Sequence, residues 1–305
     1  VKTKILWICF DYNSAEPWWD SLLELNEYEV EIFHYNRIVP SDSAILDAAD
    51  RFNPDIVIYT GTAGGPELPS PKTLARLRAK YGRSVFLSGD VGDPPWWPYI
   101  DEYRQHKCFD LYVNFDGNDN WPKQGSDYTA LSPIAPSFFK GGARPHVERG
   151  IEFGFCGTYA RDNPQDPRRL VLDPLRRRMG LAMKPWSPVY RTYHSVGEFL
   201  CNVKLTVNMP WSGSGQVTQV KARVFEAGLA GCCLLDHMDS QARHWYAAGE
   251  DYEVYESPED AVEKARRLLA EPERMQEMAT KLRKAVHARP ARDFWKKIVD
   301  TVLKS

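Results

Sequence analysis

The stretch Val207–Leu235 reads VNMPWSGSGQVTQVKARVFEAGLAGCCLL and gathers side chains whose types and spacing suit one kind of chemistry. A loop rich in Gly and Ser, Trp211–Gln216 with Gly215 inside it, leads into a helix predicted from about Gln219 to Ala230. Lys221 and Arg223 fall in the first turn of that helix, and Glu226 follows one turn on. A helix N-terminus presents unpaired amides and the positive end of its dipole, and both attract anions. Basic side chains beside it strengthen the attraction, so this start suits a diphosphate. A carboxylate repels phosphate but is a good bidentate acceptor for ribose hydroxyls. The order Lys221, Arg223, Glu226 therefore fits a nucleoside diphosphate. The competing reading is a solvated helix face, the commoner use of a Lys, an Arg and a Glu on one helix.

The elements that must position this segment alternate between short apolar runs and amphipathic helical patterns. In the first half the predicted strands are Ile5–Phe10, Val30–His34, Ile56–Tyr59, Val85–Leu87 and Leu111–Phe115, with a short apolar stretch near Ala130–Ile134. Helices are predicted near Pro17–Leu25, Ser43–Arg51, Pro71–Tyr81 and Trp97–Gln105. This alternation implies a parallel sheet with right-handed crossovers, which binds ligands at the carboxyl ends of its strands. Those ends carry Asp11–Asn13, Gly61–Gly65, Gly89–Asp93 and Asp116–Asp119. Gly141, Gly142, Pro145 and Gly150 interrupt the pattern over Lys140–Gly150, which reads as a linker. The pattern restarts with a strand at Ile151–Cys156, closed by Gly157 and Thr158, and a basic helix from about Asp166 to Met179. A Pro-punctuated segment (Lys184–Tyr190), a helix near Val196–Asn202 and strands at Lys204–Asn208 and Cys232–Leu235 follow. Ser257 and Pro258 open a further helix, and Phe294, Trp295, Ile298, Val299, Val302 and Leu303 form an apolar stripe on a terminal one. The expected domains are 1–140 and 150–290, with 291–305 as the terminal helix.

A length of 305 residues suits two domains of ordinary size. The net charge of -2, from 39 basic and 41 acidic residues, does not announce a nucleic-acid binder. The local run Arg168, Arg169, Arg176, Arg177 and Arg178 suits either an anionic partner or, as the commoner use, one solvated helix face. No apolar run approaches the ~18–20 residues of a membrane span, and Val1–Phe10 reads as a strand rather than a signal peptide. The 6 cysteines form no CxxC pair and sit partly in apolar runs, which favours free thiols in a reducing cytoplasm. The acidic residues and histidines, Asp116-Gly117-Asn118-Asp119 included, lack compact metal-ligand spacing. His237 and His244 read as structural or exposed residues. The pairs Trp18-Trp19 and Trp96-Trp97, the latter behind Pro94-Pro95, suit either ring stacking on a ligand or packing. The first strand ends in CFDYNSAEP without a Gly-rich turn, which counts against a dinucleotide-dependent oxidoreductase.

Lys221, Arg223, Phe225, Glu226, Ala230, Gly231 and Leu234-Leu235, with the downstream run GEDYEVYESPEDAVEKARRLLAEPERM, resemble the C-terminal half of GT-B glycosyltransferases of the spore-maturation CgeB-like group, with a group 1-like C-terminal domain. The likeness covers about residues 151–290 well and the first half in layout only. It implies an α/β protein of two Rossmann-like domains with parallel sheets facing across a cleft, the N-terminal one binding the acceptor and the C-terminal one the donor. It also implies that the last helix crosses back to the first domain. Glu226 would hold the donor's ribose, Gly157 and Thr158 would lie beside the diphosphate, with Gly215 counted among the binding residues, and the backbone at Pro185–Tyr190 would read the base. The donor would be a nucleoside-diphosphate sugar, UDP-sugar favoured, used without metal or other cofactor. The family's paired-glutamate motif has its first Glu eight residues earlier, where this chain has Thr218, so sugar recognition and a retaining mechanism do not carry over. An inverting enzyme needs a general base from the first domain: Asp90 is the first choice, ahead of Asp93 and Asp11, although strand-end aspartates often serve as caps or turns. The acceptor class stays open between a glycan, a protein and hydroxymethylated pyrimidines in DNA. Thr218 also keeps open a non-catalytic binding module of the same fold.

Overall fold

The computed structural model describes residues 1–11, 16–37, 41–61, 68–159, 166–185 and 193–304. They fall into two compact units, Val1–Ala135 with Ala291–Ser305, and Pro136–Pro290. Among the described residues the first unit holds β1 (Lys4–Cys9), α1 (Glu16–Leu23), β2 (Glu29–His34), α2 (Asp42–Phe52), β3 (Ile56–Thr60), α3 (Pro71–Tyr81), β4 (Ser84–Ser88), α4 (Trp97–Gln105), β5 (Leu111–Asn114) and β6 (Tyr128–Thr129). Its strands pair in parallel in the order β2-β1-β3-β4-β5-β6.

Every residue of β3, β4 and β5 is buried, which is why these strands read as continuous apolar runs rather than alternating ones. Their side chains still divide by strand period. Leu6, Ile8, Val57, Tyr59 and Phe86 pack with Ile45 of α2, Leu74 of α3 and Ile100 of α4 on one face. Ile5, Trp7, Ile58, Val85 and Leu87 pack on the other with Leu22 of α1 and with Trp295 and Ile298 of the last helix, Ala291–Lys304. Trp295 is fully buried, its ring 5.0 Å from that of Trp7 and its Nε1 donating to Ser21 Oγ at 2.8 Å.

The second unit holds β7 (Ile151–Gly157), α5 (Pro167–Met179), β8 (Ala182–Pro185), α6 (His194–Cys201), β9 (Val203–Val207), α7 (Ala222–Ala230), β10 (Cys233–His237), β11 (Glu253–Tyr255), α8 (Pro258–Ala270) and α9 (Pro272–His287); the terminal helix is α10. Its parallel strands run in the order β11-β10-β9-β7-β8. In both sheets the first strand lies between the second and the third, so the connections reverse direction there and leave a switch point at the carboxyl ends of β1 and β3, and of β7 and β9. Helix α7 is buried from Val224 to Ala230, and Gly228 permits its approach to α9: a Cβ there would stand 2.5 Å from Val286 Cγ2.

The stretch Lys140–Gly150, read above as a linker, is instead packed into the second unit. A Cβ on Gly142 would lie 1.9 Å from Leu229 O, and one on Gly231 would lie 2.1 Å from Gly142 O. Arg149, buried, donates to the carbonyls of Gly142, Arg144 and Val203, and His146 Nε2 meets Gly231 O at 2.9 Å. Gly142, which looks like a breaker in the sequence, is there for backbone contact.

Candidate functional site

Helix α7 begins at Ala222, with Lys221 at its N-cap in an extended conformation (φ -69, ψ 151). The helix thus starts later than the sequence suggested, and Lys221 flanks its first turn rather than lying inside it. The reason is upstream. Trp211 and Thr218 form an antiparallel bridge, Ser212 N donates to Val217 O at 2.8 Å, and Gln219 N donates to Pro210 O at 2.9 Å. This small hairpin commits backbone that a longer helix would need. Gly215 lies within its turn at φ +75, a conformation that favours glycine. Lys221 Nζ donates to Gln219 Oε1.

Arg223 does not belong to a solvated face. Its Nε donates to Glu226 Oε2 at 2.7 Å, and its guanidinium carbon lies 4.8 Å from the centre of the Phe155 ring. Glu226 is 5% exposed, and its other oxygen, Oε1, accepts from the hydroxyl of Tyr193. Burial opposes charge on the guanidinium, but Glu226, together with Cys156 and Tyr193, outweighs it and the Arg223 pKa is raised. Burial, reinforced by the Glu226 carboxylate, pushes the Tyr193 hydroxyl well above its ordinary value, so it stays a donor. Arg223 Nη1 is buried and has no hydrogen-bond partner among the described residues. Gly157 ends β7 close by: a Cβ there would come within 2.9 Å of Arg223 Nη2. Thr158, next along, is exposed. Gly157, Arg223 and Glu226 therefore meet at the carboxyl edge of the sheet, beside the β7/β9 switch point, with Lys221 at the adjoining helix start.

Sequence reasoning missed Tyr193 and Phe155. The signal for Phe155 was present, since it lies two residues before Gly157 on a strand and so shares its face. Tyr193 carries no local signal, because only the packing of α6 against α7 brings it to Glu226. The neighbouring strand ends hold a second polar group. Asn208 Nδ2 donates to Asp236 Oδ1 at 2.8 Å, and Asp236 is fully buried, so desolvation pushes its pKa up to about 6. Thr218 Oγ1 accepts from Gln241 Nε2 at 2.9 Å. The His237 ring lies 4.8 Å from Trp211 and 5.1 Å from Tyr255, while His244 closes a short 3-10 turn.

In the first unit Asp90 follows β4, its N–H on Ser88 Oγ at 3.3 Å and its carbonyl accepting from Asp93 N at 2.9 Å. Asp93 is buried, and Asp11 pairs with Arg37 at 2.6 Å. The four tryptophans serve packing within this unit: Trp18 against Phe115 at 4.7 Å, Trp19 against His34 at 5.2 Å, Trp96 buried, and Trp97 with Nε1 on Val91 O at 3.1 Å. Asp116 accepts from Asn114 Nδ2 and Asn118 N within a tight turn. No group of acidic, His or Cys side chains that could hold a metal ion occurs among the described residues. No described helix is long and apolar enough to cross a membrane. The base-reading stretch expected at Pro185–Tyr190 lies, beyond Pro185, outside the described residues, as do Tyr12, Asn13 and Thr62–Gly65.

Residues 165–295 match the family model described as glycosyl transferase-like. HepE of Anabaena, solved with UDP and glucose, shares the fold with a TM-score of 0.65 at 11% identity, over 99% of this chain and 100% of that one. Sucrose-phosphate synthase of Thermosynechococcus elongatus gives a TM-score of 0.66 at 8% identity over 100% of both chains. AviGT4, a glycosyltransferase involved in avilamycin A biosynthesis, gives 0.59 at 14% identity over 99% of both. No curated protein matches the chain in sequence. The fold is the one that these GT-B glycosyltransferases share. Residues 165–295, which include α7 and its side chains, are similar to a glycosyl transferase-like domain.

Proposed function

We propose that the protein moves a sugar from a nucleoside-diphosphate sugar, UDP-sugar favoured, to a hydroxyl acceptor without a metal ion. The carrying observation is Arg223, a cation beside the N-terminus of α7 whose buried Nη1 has no hydrogen-bond partner among the described residues. Leaving such a donor unmet costs about 1–3 kcal/mol, which an anionic ligand recovers. As the bond between the sugar and the diphosphate breaks, negative charge grows on the departing phosphate. Arg223, Lys221 and the helix amides are fixed donors for that charge. Gly157 and Thr158 flank the diphosphate, Gly215 belongs to the loop over it, and Glu226 turns to the ribose the lone pairs that Tyr193 and Arg223 leave. HepE, solved with UDP and with UDP-glucose, supports uridine as the base.

The acceptor, a glycan, a protein or a hydroxymethylated pyrimidine in DNA, falls to the first unit. In an inverting transfer Asp90 takes the proton of its hydroxyl as the new bond forms. Calorimetry with UDP, ADP, GDP and TDP in the presence of a chelator tests the donor half of this reading. UDP binding that survives the chelator and is lost in Lys221→Ala and Arg223→Ala is expected; no binding of any nucleoside diphosphate would overturn it.

A further inference from the structure

Tyr193 lies just before α6, well outside the 207–235 segment, and nothing in its sequence surroundings marks it for function. It is 2% exposed. Its ring packs edge-on against Phe138 at 5.2 Å and Phe139 at 6.3 Å, which directs its hydroxyl to Glu226. The two oxygens of Glu226 are thereby committed to different donors, Oε1 to Tyr193 and Oε2 to Arg223 Nε. A carboxylate gripped at both oxygens cannot turn without breaking one of the two bonds, so the direction of its bond to Arg223 is fixed from behind. Arg223 is held on its other sides by the Phe155 ring and by the close approach of Gly157, and Nη1, which is buried, and Nη2 are left without a hydrogen bond among the described residues.

We propose that Tyr193 is a positioning residue for the donor's diphosphate: it fixes Glu226, Glu226 fixes Arg223, and Arg223 presents the unpaired edge of its guanidinium to phosphate. The inference rests on the donor reading above and adds to it the residue that orients the phosphate contact.

The test compares UDP with UMP, ligands with the same base and ribose that differ in one phosphate. Kd for each is measured by calorimetry on the full chain, wild type and Tyr193→Phe, with a thermal melt of each protein. Wild type is expected to prefer UDP, and Tyr193→Phe to lower that preference about tenfold, the scale of one charge-assisted hydrogen bond. A role in packing alone, or in ribose binding alone, shifts the melt or both affinities and leaves the ratio where it was. In Glu226→Gln the ratio falls as well, and adding Tyr193→Phe to that background is expected to lower it no further. An unchanged UDP/UMP ratio in Tyr193→Phe, or a further fall in the double variant, overturns the proposal. Failure of wild type to bind either nucleotide is a different result, because it overturns the donor reading on which this one stands.

Discussion

A Cβ on Gly157 would stand 2.9 Å from Arg223 Nη2 and 2.9 Å from the ring of Phe155, so the end of β7 and the start of α7 meet through the missing side chain of one residue. Gly157→Ala should displace the guanidinium from its place over Phe155 while the strand beneath it persists. The expected outcome is a loss of UDP affinity of about tenfold, roughly 1.4 kcal/mol, with a much smaller change in melting temperature. Calorimetry and a thermal melt on the same protein check both halves. An alanine variant that binds UDP as wild type does would show that the close approach has no bearing on the ligand.

The Arg223–Glu226 pair is buried, with side chains 13% and 6% exposed. Removing one member of a buried pair strands the other charge and costs about 3–5 kcal/mol, whereas removing both costs far less than the sum. Glu226→Ala and Arg223→Ala should each lower the urea midpoint strongly. The double variant should then be no less stable than the worse single one, a positive coupling measured directly by the cycle. Additive losses would mean that the two side chains do not depend on each other.

What the sequence made legible was the part governed by period and punctuation. The helix predicted at Pro71–Tyr81 is found at those residues, because Ser70 caps it through Thr73 N, Pro71 opens it and Gly82 closes it in the left-handed region. The parallel strands followed from apolar runs buried on both faces. The start of α7 was misplaced because the hairpin bridge between Trp211 and Thr218 is a tertiary fact with no local period. Lys140–Gly150 looked like a linker because glycine signals a turn and a close backbone contact with the same letter. Arg223 and Glu226 were singled out by type and spacing, but their burial, the Phe155 ring and Tyr193 depend on how β7, α6 and α7 pack.

The contact of Gly142 with α7 is measurable as stability. Gly142→Ala would drive a carbon to 1.9 Å from Leu229 O, an overlap no rotamer relieves because the atom met is backbone. A loss of about 3 kcal/mol or more in urea unfolding is expected, at the upper end of overpacking effects. Gly215→Ala is the comparison: nothing lies within 4 Å of its Cβ, and only its φ of +75 resists, which costs about 1 kcal/mol. Similar losses in the two variants would contradict the docking of Lys140–Gly150.

Two buried groups of the second unit should give acid stability opposing slopes. Burial lowers His146 to about 4 from 6.5, so as pH falls below 6.5 the unfolded chain takes up a proton that the folded one refuses until about 4. Stability from this site is therefore whole above 6.5 and declines toward 4. Burial raises Asp236 from 3.8 to about 6, so the folded chain keeps a proton that the unfolded one has already lost. Its contribution is whole below 3.8 and declines as pH rises toward 6. Each slope is at most about 1.4 kcal/mol per pH unit, and in the shared window they cancel in the wild type. Asp236→Asn keeps the shape without the charge, so its stability relative to wild type should climb between pH 4 and 6 by up to about 3 kcal/mol. His146→Gln should gain on wild type in the opposite direction, as pH falls from 6.5 to 4. Urea midpoints of the three proteins at pH 4, 5, 6 and 7 read both trends, and curves that stay parallel across that range would mean that neither group titrates as its burial requires.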